Sequence, residues 1–371
     1  MRSVVNTVQR LQDTFEFHVI TRDHDGFCDK TPYRNIEYGR WNLVAGSKVR
    51  YLASSELTPW RIAEIVRDCR PDAIYLNSVF STLSVFFFIS RLFGLNCGIP
   101  VGLAACGELF QSALAKKTLK KSAFIFIARL VRLHTGVIWR ASDELERGAI
   151  EDLKFRPVLV ARDLTVGLER SRPQSLRKSR GSLRLLCFSR IDPIKNLEFL
   201  ISLLPTVQGR INFTIAGPSD DPGYVRILRR LAADLPDRIS IDFRGPKTHV
   251  ELGEMIPDFD FFILPTLGEN FGHVVVEALS ASLPVLISNR TPWIDLAERS
   301  AGFVLPLEEP SLWTETLNRL VEMEEDELGH FRVGALKEAD RVLGAAEVLE
   351  ANRKFFETLL NHKSQECSKS L

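Results

Sequence analysis

The run Phe261-Phe262-Ile263-Leu264-Pro265-Thr266-Leu267-Gly268-Glu269-Asn270-Phe271-Gly272-His273-Val274-Val275-Val276-Glu277-Ala278-Leu279 decides how the chain is read. Its first four residues are uninterrupted apolar, the pattern of a buried strand. Pro265 has no N–H to donate and ends that strand. Leu267 to Asn270 make a loop, and Gly272 opens a helix through Leu279. Strand, loop and helix N-terminus in this order build the rim of an open α/β sheet where anionic ligands bind.

Two carboxylates flank the helix start, Glu269 in the loop and Glu277 inside the helix. A loop carboxylate can accept from sugar hydroxyls, and one further along the helix can take vicinal hydroxyls such as those of a ribose. Backbone N–H groups around Asn270, Phe271 and Gly272 remain for a phosphate or hydroxyl. The plainer alternative makes Glu269 a helix cap and Glu277 a solvated surface residue.

A similar arrangement precedes it. Leu183 to Ser189 reads as a strand, Arg190-Ile191-Asp192-Pro193-Ile194-Lys195-Asn196 as a loop, and Leu197 to Leu204 as a helix. Arg190 offers a planar fork and Lys195 a point charge, which together suit a diphosphate. Asn212 to Ala216 is a strand that ends in a turn at Gly217, and Ile239 to Phe243 leads to a turn at Arg244-Gly245-Pro246.

These motifs resemble those of the retaining, nucleotide-sugar-dependent glycosyltransferases of family 4, which have the GT-B fold. Glu269 and Glu277 look like the family's Glu-x7-Glu motif. Ser189-Arg190 with Lys195-Asn196 looks like its Gly-Arg-x4-Lys-Asn motif, with serine in place of glycine. The resemblance implies catalytic roles for Arg190, Lys195 and Glu269, and donor binding by Gly217, Asn270, Phe271, Gly272 and Glu277. It implies no cofactor and no metal. The donor would be a UDP-, GDP- or ADP-sugar, and the acceptor a sugar or lipid-linked saccharide. Asp258-Phe259-Asp260 has the spacing of a divalent-cation motif, but it precedes a buried strand, where an acidic turn is ordinary.

Composition sets the frame. At 371 residues, 45% hydrophobic and 26% charged, the chain is long enough for two domains, each with its own core. A net charge of +1 gives no reason to expect nucleic acid as a partner. The six cysteines lack metal-ligand spacing and read as reduced thiols of a cytoplasmic protein. No apolar run is long enough for a transmembrane helix.

The N-terminal half alternates strands and helices, the order of a doubly wound parallel sheet. Strands are expected at Phe15–Thr21, Val49–Leu52, Asp72–Asn77, Pro100–Ala105 and Val158–Val160, with helices at Thr58–Cys69 and Phe80–Phe93. Ala123 to Trp139 reads as a helix running into a strand, with an interfacial amphipathic helix as the alternative. The chain opens on a helix, so the strand and Gly-Gly loop that begin this domain in the resembling family have no counterpart. Cys106-Gly107-Glu108-Leu109-Phe110 and the lysines from Lys116 to Lys121 resemble the family's Pro-Arg-Gly-Glu-Leu segment and Lys-Lys pair. Arg140-Ala141-Ser142 resembles its His-Ala-Thr string, with a helix capped at Ser142. By that resemblance Cys106, Glu108 and Arg140 are acceptor-side candidates, although Cys106 cannot carry a positive charge and Arg140 stands where the family has His.

The expected architecture is two Rossmann-like domains facing a cleft. Residues 1–168 form the acceptor-side domain, 169–182 a linker, 183–345 the nucleotide-sugar domain, and 346–371 a crossing helix and tail. The activity implied is sugar transfer with retention, in polysaccharide or glycolipid synthesis, with peripheral contact at the inner membrane face. A nucleotide-sugar-binding protein impaired in turnover is the second reading, and a sugar-nucleotide epimerase the third.

Overall fold

The computed structural model describes residues 2–24, 31–44, 46–110, 114, 118–170, 177–219 and 221–362. They divide into two compact units. Unit 1 runs to Leu164 and takes up the chain again from Ala346, and unit 2 is Thr165–Ala345.

Unit 1 opens with α1 (Arg2–Leu11), β1 (His18–Arg22), β2 (Asn42–Val44) and β3 (Ser47–Leu52). It continues with α2 (Pro59–Cys69), β4 (Ile74–Asn77), α3 (Thr82–Leu92), β5 (Val101–Ala104) and α4 (Thr118–Leu130). β6 (Val137–Ala141), α5 (Glu144–Asp152) and β7 (Val158–Val160) follow. Local chemistry sets the helix starts. Thr58 accepts from Arg61 N ahead of Pro59, and Ser81 accepts from Ser84 N. α5 is capped by Asp143 and not by Ser142, because the Asp143 carboxylate accepts from Glu146 N at 2.8 Å.

The single parallel sheet expected for this unit is two sheets. One has the order β1-β3-β2, with β1 parallel to β3 and β2 antiparallel to it. The other is parallel throughout, in the order β4-β5-β6-β7. β1 and β4 are therefore end strands, and no described strand is hydrogen-bonded between them. The core on one side gathers Phe87, Phe88, Leu103 and Ile150 around Trp139, which stacks on Phe155 at 4.5 Å. On the other side Phe355, Phe356 and Leu359 of the last helix pack with Leu11, Tyr75 and Ile138. Gly102 makes room there, since a Cβ on it would lie 2.9 Å from the Phe355 ring.

Unit 2 has the strands β8 (Ser182–Phe188), β9 (Arg210–Ala216), β10 (Ile239–Gly245), β11 (Phe261–Leu264), β12 (Val285–Ser288) and β13 (Gly302–Leu305). All pairings are parallel, and the order is β10-β9-β8-β11-β12-β13. The first three strands step outward on one side and the next three on the other. Strand order thus reverses between β8 and β11, and ligands of open α/β sheets bind beyond the carboxyl ends at such a point. Between the strands lie α6 (Leu197–Leu203), α7 (Pro222–Ala233), α8 (His249–Met255) and α9 (His273–Ser280), and α10 (Pro310–Glu322) and α11 (Glu325–Leu343) follow.

The sequence reading missed α11. Its apolar positions are interrupted by Gly329 and Gly334, which weaken a helical pattern. Gly334 is a contact residue, and a Cβ there would lie 2.1 Å from Ser300 O. The last helix, α12 (Ala346–Asn361), belongs to unit 1. Cys69, Cys106 and Cys187 are free thiols, whereas Cys97 is disulfide-bonded, unlike the uniformly reduced set expected. Among the described residues no helix is long and apolar enough to cross a membrane.

Candidate active site

The site is built where β8 and β11 end. After β8 the chain turns at once. Ser189 N bonds Ala216 O at 3.0 Å, and Ile191 N bonds Pro218 O at 2.8 Å, so the start of the loop is laid along the end of β9. Gly217 permits this approach, because at its φ of +149° a Cβ would lie 1.8 Å from Ser189 O. Its N–H is taken by Gly245 O at 2.7 Å. The loop closes in a single turn, Pro193–Lys195, capped by Asp192, and Asn196 at φ 55° redirects the chain into α6.

Beyond β11, Thr266 is fully buried and donates to Ile194 O at 3.0 Å, and Leu267 N bonds the same carbonyl at 2.7 Å. Glu269 N bonds Arg290 O at 3.0 Å, and the Ser288 hydroxyl donates to Thr266 O at 2.6 Å. The loops after β8, β11 and β12 are thus one hydrogen-bonded assembly. Gly272, at φ 79°, opens α9 without a side-chain cap. Trp293 Nε1 donates to Phe271 O at 2.6 Å and sets the approach to that helix.

This assembly brings the expected charged residues to one rim. Lys195 and Glu269 form an ion pair, both largely buried. Arg190 is about half exposed, with its Nε 4.0 Å from Asp192 Oδ2. Glu277 is only 1% exposed, and its Oε1 lies 3.5 Å from His249 Nε2. Fixed cations, a carboxylate in the loop and a second carboxylate beneath the helix start can receive a diphosphate and hydroxyls together.

His249 is a residue the sequence reading did not single out. It opens α8 behind the Gly245-Pro246 turn of β10, and Thr248 and Glu251 form a reciprocal cap around it. That capping pattern, just after the Arg244-Gly245-Pro246 turn, was the available signal. Asp260 is not placed to hold a cation. It is fully buried and takes Arg184 N at 2.8 Å and Arg184 Nη2 at 2.6 Å. Among the described residues no group of three or more His, Cys, Asp or Glu is arranged to hold a metal ion.

The three residues expected on the acceptor side sit differently in unit 1. Arg140 is buried. Its guanidinium donates to Tyr75 Oη at 3.0 Å, Asp163 Oδ1 at 2.9 Å, Arg162 O at 3.1 Å and Asn352 Oδ1 at 3.2 Å. Burial alone would lower its pKa, but Tyr75 and Asp163 raise it, so it stays charged as an internal tie between β6 and α12. Glu108 accepts from Val79 N at 2.7 Å, Phe80 N at 3.2 Å and Ser78 Oγ at 2.7 Å, which commits both of its oxygens to the approach to α3. Cys106 remains at the surface, with Sγ 3.3 Å from Asn77 Oδ1. Its packed surroundings, and then the carboxylates of Asp163 and Glu146, push the thiol up to about 12, so it is neutral at pH 7. Of the lysine cluster, Lys116 and Lys117 lie outside the described residues.

Residues 169–330 match the family described as glycosyl transferases group 1. The matched residues lie within unit 2. Among curated proteins the chain is similar to D-inositol 3-phosphate glycosyltransferases. The Corynebacterium efficiens protein is 30% identical over 136 residues, covering 36% of this chain and 29% of that protein. The Streptomyces bingchenggensis protein is 29% identical over 174 residues, covering 42% and 38%. The chain thus spans only about a third of the length of these relatives. Over the whole chain the backbone is similar to Anabaena HepE, solved with UDP and glucose, at a TM-score of 0.70 and 16% identity, covering 96% of this chain and 94% of that one. Sucrose-phosphate synthase from Thermosynechococcus elongatus gives 0.68 at 13% identity, covering 96% and 92%. The fold is GT-B, with two Rossmann-like domains.

Proposed function

We propose that this chain moves a sugar from a nucleoside diphosphate sugar to an acceptor hydroxyl with retention, as a glycosyltransferase of family 4. The observation that carries the reading is the gathering of Arg190, Lys195, Glu269 and Glu277 at the point where strand order reverses in unit 2. Arg190 and Lys195 take the diphosphate and stabilise it as it departs. Glu277, with His249 beside it, takes the ribose hydroxyls. Glu269 and the backbone of Asn270, Phe271 and Gly272 hold the donor sugar. Gly217 contributes by letting the β8 loop close. Two fixed cations supply the charge the leaving group needs, so the reaction proceeds without a metal.

UDP is the first nucleotide to test, because the similar Anabaena protein was solved with UDP and with UDP-glucose. The acceptor is a saccharide, free or lipid-linked, in polysaccharide or glycolipid synthesis, reached from the cytoplasm at the inner membrane face. The neutral thiol of Cys106 favours a second reading, a nucleotide-sugar-binding protein impaired in turnover. Titration calorimetry with UDP, GDP and ADP, with and without magnesium, tests the donor site. Metal-independent binding of one diphosphate is expected, and binding of none overturns the assignment. Release or transfer of sugar from the matching donor then separates enzyme from binding protein.

A further inference from the structure

Helix α4 has apolar residues on two faces. Ile125 and Ala128 are buried against the core of unit 1. Ala123, Phe126, Ile127 and Leu130 recur at positions i, i+3, i+4 and i+7, so they form one stripe along the opposite side. That stripe is exposed: Phe126 is 68% accessible, Ile127 56% and Leu130 72%, and Val131 continues it. Single exposed hydrophobic residues are ordinary, but a run of large ones over successive turns marks an interaction surface.

The charge around the stripe selects the partner. From Thr118 to Trp139 the sequence contains no Asp or Glu, against Lys120, Lys121, Arg129 and Arg132, while the whole chain has a net charge of only +1. Arg129 and Arg132 are exposed beside the stripe. Lys121 lies on the core-facing side with Ile125 and Ala128, its Nζ 5.1 Å from the Phe80 ring centroid, so the cations beside the stripe are Arg129 and Arg132. Two copies meeting through this face would set cations against cations. An anionic bilayer satisfies both features, with acyl chains for the stripe and headgroups for the cations. We propose that the exposed face of α4 docks unit 1 reversibly on an anionic membrane surface, with Phe126, Ile127 and Leu130 inserted at the headgroup boundary. The inference rests on this face and not on the donor site, so vesicle binding and nucleotide binding fail independently.

The test is co-sedimentation of the full chain with vesicles of phosphatidylcholine, with and without phosphatidylglycerol. Binding is expected only with the anionic lipid, and it weakens as salt rises. Phe126→Ser combined with Leu130→Ser should lower the partition coefficient at least about tenfold, with nucleotide affinity retained. Arg129→Glu, an exposed change, should lower it as well and serves if the double variant misfolds. No binding of the wild-type chain to anionic vesicles overturns the proposal, as does equal binding by the variants. A lipid-free dimer that dissociates in the double variant assigns the face to self-association and also overturns it.

Discussion

Lys195 and Glu269 have separate roles in the proposed reaction, yet the structure pairs them. The pairing predicts an asymmetry. Lys195→Ala removes a charge-assisted contact to the diphosphate, worth about 1.5–3 kcal/mol, or roughly 10–150-fold in the Kd for UDP. The loops should keep their register in that variant, because Thr266 Oγ1 and Leu267 N still hold Ile194 O at 3.0 and 2.7 Å. Glu269→Gln acts in the opposite sense. It frees the lysine from a competing anion, so UDP affinity should stay within about threefold of wild type or tighten. Glu269 is assigned to the sugar, so turnover of UDP-glucose should fall in the same variant. Calorimetry with UDP and a sugar-release assay with UDP-glucose separate the two effects. If Glu269→Gln weakens UDP binding as much as Lys195→Ala does, the pair is a structural brace and the division of labour is refuted.

Other consequences concern the fold around the site. Arg140→Ala leaves Asp163 and Tyr75 without their common partner, which should cost about 3–5 kcal/mol, read by urea denaturation of the full chain followed at unit 1 tryptophans. His134 lies in an aromatic cage of Phe88, Trp139 and Phe155, and burial lowers its pKa from 6.5 to about 4. The unfolded chain then binds the extra proton between those values. This stability is present above pH 6.5 and is lost as pH falls toward 4, by up to about 3 kcal/mol. His134→Phe should flatten that part of a stability profile measured from pH 4 to 7. Gly217→Ala drives a Cβ to within 1.8 Å of Ser189 O, so it should displace the Arg190 loop and lower UDP affinity in a chain that remains folded by circular dichroism.

The donor unit was legible because its chemistry is local. Each motif there is a strand end and the loop that follows it, so residues close in sequence remain close in space. Parallel pairing then stacks the loops after β8 and β11 side by side. His249 escaped because it reaches Glu277 across the sheet, from the connection after β10. α11 escaped because Gly334 looks like a helix breaker until Ser300 O is seen against it. In unit 1 alternation predicted strands correctly in kind but not their partition into two sheets, since strand pairing is a long-range property that a pattern of alternating residues does not encode. The ties of Arg140 are equally long-range, reaching Asp163 and Asn352 from β6.

Those ties change how the substitutions in unit 1 bear on activity. A positive charge at residue 140 looks like a catalytic replacement when only the string Arg140-Ala141-Ser142 is in view. In the structure the guanidinium has four acceptors, on β4, on the segment after β7 and on α12. Imidazole offers at most two donors in fixed opposite directions and cannot serve that set. Arg140 is thereby explained by the anchoring of α12 alone and says nothing against turnover. Glu108, which matches the resembling segment, is likewise held by backbone and hydroxyl donors, so its presence says nothing for turnover. Cys106 differs from both. It is surface-accessible, it occupies a strained left-handed position at φ 53°, and its thiol is neutral. The question of transfer against mere binding therefore narrows to one residue in unit 1. Cys106→His is the variant that addresses it, since it offers a titratable cation at the end of β5. A rise in sugar transfer with UDP affinity unchanged would show that the wild-type chain is limited at that position. Transfer by the wild-type chain, unaltered by the substitution, would show that the donor-side charges suffice.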